Sequence, residues 1–157
     1  MNEKNDGLTT SRAVKNPLAQ RLTAAGFRAS AVENLAGRGK LAKTTGGFSA
    51  VVRLGSAAAA ADQVKFLHAR SLSRCPQVQV CDVFWKPFPV AGIPGAAGSV
   101  RWRKVKTKNG PSFREYYIFF SLGPNGYGET VGGPYGAISQ EQFVHGVTAL
   151  YKRLRLG

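Results

Sequence analysis

The residues best suited to meeting a partner run from Arg101 to Tyr116. Arg101, Arg103, Lys104, Lys106, Lys108 and Arg114 are interleaved with Trp102 and Tyr116. Lysine and arginine offer contacts to phosphate or carboxylate oxygens, and flat aromatic faces suit stacking against bases or sugars. The same basic run has a second use, because positive charge along an edge strand discourages sheet-to-sheet aggregation.

Other reactive side chains are sparse. Cys75 and Cys81 stand with five residues between them, which is neither a two-residue redox spacing nor half of a zinc site. A disulfide closing a short loop between a helix and a strand is one reading, and two free buried thiols are the other. His68 and His145 both fall on expected helices, where a half-exposed histidine needs no catalytic role. The eight carboxylates show no close pair of the kind that glycoside hydrolysis or a metal ion would need. Gly37-Arg38-Gly39-Lys40 lacks the spacing of a phosphate-binding loop. These residues point to no catalytic site, no metal and no cofactor, and so to a protein that is not an enzyme.

Charge dominates the composition. Lysine and arginine total 22 against 8 acidic residues, a net +14. That balance favours polyanionic neighbours, namely nucleic acid, an anionic membrane surface or an anionic envelope polymer, although it also serves simply to keep a protein dispersed. The length of 157 residues suits a flexible tail over 1–15 and one domain over 16–157. No stretch is apolar for long enough to span a membrane. Residues 1–16 contain no hydrophobic signal core, which leaves open whether Met1 is the native start.

The elements that must carry these residues follow from local pattern. Asn16-Pro17 opens a short helix over 17–25, and Gly26 suits its left-handed cap, with Phe27 as the apolar residue behind it. Strands are expected over 27–35 and 47–54. Ser56 caps a helix over 57–72, with Ala60, Val64, Leu67 and Leu72 on its buried stripe. A strand over 78–84 precedes Pro87–Gly95, a segment rich in proline and glycine whose apolar residues must pack against something. Asn109-Gly110 signals a two-residue hairpin turn. Counting outward, it sets Lys104 opposite Glu115 and Trp102 opposite Tyr117, with Arg103 facing Tyr116 and Arg101 facing Ile118. A short strand over 127–131 stops at Gly132-Gly133-Pro134. Ser139 and Gln142 form a capping box for a last helix over 139–155. The sum is an α+β fold: a mainly antiparallel sheet of about five to seven strands, covered by the helices 57–72 and 139–155, with a short N-terminal helix.

From about residue 46 onward the chain resembles a known group of proteins. The shared features are Gly46-Gly47-Phe48-Ser49-Ala50-Val51-Val52, the alanine-rich helix, the flanking cysteines and Val90-Ala91-Gly92-Ile93-Pro94-Gly95-Ala96. A polar-aromatic hairpin and a helix bearing Gln142-Phe143 and Leu150-Tyr151 follow in order. The group comprises small secreted proteins, lipoproteins and kinase sensor domains of actinobacteria with a PsbP-like α/β/α sandwich. The resemblance implies an exported, envelope-facing binding or sensing domain and carries over no catalytic residue. The basic Arg101–Lys108 strand is no hallmark of that group, and a lipobox cysteine is absent.

Three functions compete on this evidence. The first is an exported binding or accessory domain that meets anionic envelope material or a protein partner through the basic ribbon. The second is a cytoplasmic nucleic-acid-binding protein. The third is a subunit of a larger assembly, with the apolar segment 87–97 as its contact.

Overall fold

The computed structural model describes residues 17–37, 45–72, 81–105 and 112–156, excepting the side chains of 17, 81–84, 103–105 and 112. Along the chain come helix α1 (Pro17–Ala24), strands β1 (Ala29–Ala36) and β2 (Gly46–Arg53), and helix α2 (Ala57–Ser71). Strands β3 (Cys81–Phe88), β4 (Ala97–Val105), β5 (Ser112–Leu122) and β6 (Asn125–Pro134) follow, then helix α3 (Gln140–Leu156). The strands make one six-stranded sheet in the order β1-β2-β6-β5-β4-β3. Every neighbouring pair is antiparallel. This is the α+β architecture expected from the sequence, including the short N-terminal helix.

Local chemistry explains the helix ends. Phe27 N–H reaches Leu22 O at 3.0 Å and Gly26 N–H reaches Thr23 O at 3.0 Å. Gly26 itself sits at φ +70°, so the expected left-handed cap is a complete Schellman motif. The Ser56 hydroxyl accepts from Ala59 N–H at 3.1 Å and starts α2. At the head of α3 the capping box closes in both directions. Ser139 N–H donates to Gln142 Oε1 at 3.0 Å, and Gln142 N–H donates to Ser139 Oγ at 3.1 Å.

The sheet carries helices on both faces. On one side α3 lays Phe143, Val147 and Tyr151 over Tyr116, Ile118 and Phe120 of β5. The Tyr151 and Phe120 rings meet edge to face, with centroids 5.7 Å apart. Phe88, Ile93 and Val100 complete this core. Each such side chain, fully buried, contributes roughly 1.5–3 kcal/mol. On the other side α2 docks through hydrogen bonds as well as apolar contacts. Ser71 Oγ and Ser99 Oγ are 2.7 Å apart, and His68 Nε2 lies 3.2 Å from Gly98 O.

Three expectations are corrected. First, β3 does not stop before Pro87 but runs on to Phe88. Proline is tolerated there because β3 lies at the edge of the sheet among the described strands. The segment that follows packs against its own core: Phe88 and Ile93 are buried within it, and Val90 and Ala96 lie against it. Second, β6 is longer than 127–131, and Gly132-Gly133-Pro134 lies inside it. Gly132 has no side chain to strike Glu115, whose Cγ would lie 2.9 Å from an added Cβ.

Third, the β4–β5 register is shifted. Arg101, and not Lys104, stands opposite Glu115, and Trp102 stands opposite Arg114. The last pair is Lys104 with Ser112, which is not the register counted from a two-residue turn; Asn109-Gly110 itself lies outside the described residues. A shift by an odd number of residues exchanges the faces that partner side chains share. The observed register sets Val100 beside Tyr116 under α3, where both are buried. Core packing thereby prevails over the register counted from the turn signal. Residues 1–16, the segment 73–80 with Cys75, and Lys106 and Lys108 lie outside the described residues, as does the side chain of Cys81.

Candidate functional site

Among the described side chains, the interleaved basic and aromatic residues do not share one face of the sheet. Side chains alternate along β4 and β5, so neighbours go to opposite faces. Arg101 lies on the α2 side of the sheet. Trp102, Arg114 and Tyr116 lie on the α3 side. The backbones of Arg103 and Lys104 pair with Phe113 and Ser112. Strand β4 is also not an edge strand, since β3 covers it. Tyr116 is 2% exposed and belongs to the core, which removes it as a solvent-facing stacking surface.

Arg101 is held from several directions. Its Nε and Nη2 both bind Glu115 Oε2, with the two side chains 17% and 23% exposed. Tyr117 OH donates to the same carboxylate oxygen at 3.0 Å. The guanidinium carbon lies 4.9 Å from the Trp85 ring centroid and 5.6 Å from that of Tyr117. The charge is thus matched within the fold and does not stand as a free anion contact.

Arg101 instead lines a cavity. Between α1, α2 and the sheet lies a space of about 580 Å³. Leu18 and Leu22 of α1 and Leu67 of α2 form its roof. Its floor is Phe48, Ala50 and Val52 of β2, Gly126 and Gly128 of β6, and Tyr117 and Phe119 of β5. The glycines keep that floor low, because a side chain at either position would rise toward the helices. Arg70, Ser71, Trp85 and Arg101 supply most of the polar lining, with Gln63 of α2. Gln63 is 3% exposed, and its Oε1 accepts from Arg21 Nε at 3.3 Å, tying α1 to α2. Trp85 Nε1 is buried without a hydrogen-bond partner among the described residues. Toward β1 the cavity opens between Phe27, Val32 and Phe48, all lining it and all exposed.

A second, smaller pocket of about 380 Å³ lies across the sheet, lined by Trp102, Arg114 and Tyr116 together with Lys86, Phe88, Ser139 and others. Three of the eight residues singled out in the sequence therefore do converge, although on a face that excludes Arg101.

The cavity itself was not legible in the sequence. Local pattern gives a strand over 47–54 and a helix over 17–25, which hold Phe48, Ala50, Val52, Leu18 and Leu22. Nothing in that pattern said that the two would be held apart. Glu115 and Tyr117 were paired with other residues by the register counted from Asn109-Gly110. Gln63 carried no signal beyond its place in α2. Among the described residues there is no cluster of three or more metal-ligating side chains. No helix among them is long and apolar enough to cross a membrane.

No protein family model matches the chain. No curated protein matches it either. Among solved structures, it is similar to a protein of unknown function from Pseudomonas aeruginosa, PA94, described as a candidate regulator. The likeness covers 81% of this chain and 80% of that one, at 14% identity and a TM-score of 0.36. Agreement at that level carries no argument about function.

Proposed function

We propose that this protein is a non-enzymatic binding domain that seats an apolar small molecule, with one hydrogen-bonding end, between α1, α2 and the sheet. One observation carries the reading: a cavity of about 580 Å³ where a helix-on-sheet interface is ordinarily filled. Ligand sites commonly measure ~300–1,000 Å³, with mostly apolar walls and a few placed polar groups. Here the apolar body of the ligand would lie on the Gly126–Gly128 floor. Its polar end would face the cluster of Trp85, Arg101 and Ser71. Entry would be past Phe27, Val32 and Phe48.

Export to the envelope belongs to the same proposal and rests on Cys75, Cys81 and the resemblance to PsbP-like secreted domains. An anionic polymer, membrane surface or protein partner remains the expected neighbour of a +14 chain.

The test uses a neutral apolar dye, N-phenyl-1-naphthylamine, which brightens on leaving water. It should bind the full chain saturably. Ala50→Phe, which places a ring opposite Gly128, should weaken binding by about tenfold or more while unfolding stays cooperative. Gly128→Val should act in the same direction. A dye that does not bind, or that binds both folded variants as well as the parent, removes the proposal.

A further inference from the structure

The smaller pocket makes a separate case, independent of the cavity. Its charged lining residues, Lys86 and Arg114, are both cations, and its walls include Phe88, Trp102 and Tyr116. Arg114 is half-buried and ringed by aromatic faces. Its guanidinium carbon lies 4.4 Å from the Tyr135 centroid, 5.3 Å from Trp102 and 6.0 Å from Tyr116. Its Nη1 donates to Tyr116 OH at 3.1 Å, while its Nε is buried with no partner among the described residues. The ion pairs among the described residues are Lys65 with Asp62 and Arg101 with Glu115, so neither Arg114 nor Lys86 has a carboxylate there.

Ring faces and phenol oxygens stabilise the Arg114 cation, and among the described residues no carboxylate competes for it. Burial pulls the Arg114 pKa down, but the hydroxyls of Tyr116 and Tyr135 outweigh it and leave the value raised, so the site stays charged at every physiological pH. The first turn of α3 opens at the same pocket through Ser139 and Gln140. Its peptide dipoles add a further positive field, partly offset by Glu141. Tyr135, whose ring lies over the guanidinium, is itself 66% exposed.

We propose that this pocket binds a small organic oxyanion, a phosphate or carboxylate, that carries a flat ring. The ring lies against Trp102, and the oxygens meet Arg114 and Lys86. Free nucleotides, aryl phosphates and aromatic carboxylates all have this chemistry, as does each unit of a single-stranded nucleic acid.

The experiment follows the Trp102 indole N–H resonance in the full chain bearing Trp85→Phe, which leaves one of the two tryptophans. Adenosine 5′-monophosphate, phenyl phosphate and benzoate are titrated separately, with adenosine as the uncharged control and oligo(dT) as the polymer. At least one small anion should shift the resonance saturably, with Kd of ~1 mM or tighter, and adenosine should not. Lys86→Glu, at an exposed position, should weaken that binding about tenfold, and Arg114→Gln should abolish it. Should Arg114→Gln fail to fold, Lys86→Glu alone decides. Tight, salt-sensitive binding of oligo(dT) would identify the source as a strand, whereas binding confined to the small anions would identify a free metabolite. The proposal falls if no anion shifts the resonance up to ~20 mM, a limit far weaker than functional affinity, or if Lys86→Glu binds as the parent does.

Discussion

Arg101 stands opposite Glu115 across the β4–β5 ladder and binds its carboxylate through two nitrogens, Nε and Nη2. That contact is specific to the observed register, lies on the cavity wall and takes an arginine out of the pool of free cations. Removing either partner leaves the other charged and largely shielded from water. Arg101→Ala or Glu115→Gln should each cost about 2–3 kcal/mol, and their double-mutant cycle should show coupling of about 1 kcal/mol or more. The cycle of Lys104 with Glu115, the pair that a two-residue Asn109-Gly110 turn would have made, should show coupling near zero. Urea unfolding of the parent and the five variants checks both statements. Comparable coupling in the Lys104 cycle would refute the observed register.

Close packing at Gly98 gives a second test. A Cβ there would fall 2.4 Å from Phe88 Cε2, inside the core beneath α3. Gly98→Ala should therefore destabilise by about 1–3 kcal/mol, the usual cost of overpacking. Combining it with Phe88→Leu should cost less than the sum of the two single changes. Thermal unfolding measures both.

The buried carboxyl of Glu129 sets a pH dependence. Burial pushes its pKa up, the hydrogen bond from Ser49 Oγ at 2.7 Å pulls it down, and the negative charge of Glu33 pushes it up again. The net shift is upward. The folded state then holds a proton that the unfolded chain has already released, so stability falls as pH rises from the ordinary carboxyl range through the raised value. Glu129→Gln keeps an acceptor for Ser49 and should flatten that slope, making the protein more stable at neutral pH. Denaturant midpoints between about pH 4 and about pH 8 provide the check. A variant less stable than the parent across that range would contradict it.

The capping box of α3 predicts a smaller effect. Ser139→Ala removes the acceptor for Gln142 N–H and should cost about 1 kcal/mol, whereas Ser139→Asp should retain most of the stability. Because α3 carries Val147 and Tyr151 into the core, the loss should appear as global unfolding and not as fraying alone. Hydrogen exchange along the helix separates the two.

The sequence by itself determined the elements and their caps. The Schellman motif at Gly26, the Ser56 cap and the Ser139–Gln142 box each depend on a few neighbouring residues, and all are present as read. The strand over 47–54 was legible for the same reason: the side-chain period is a property of the strand alone. Register, edge position and empty space were decided only by the tertiary structure. Whether Glu115 meets Arg101 or Lys104 depends on which pairing also buries Val100 and Tyr116 under α3. Whether Pro87 ends a strand depends on which strand lies at the edge. A cavity between α1, α2 and the sheet is a difference between surfaces that meet only after folding, and no single stretch of residues contains it.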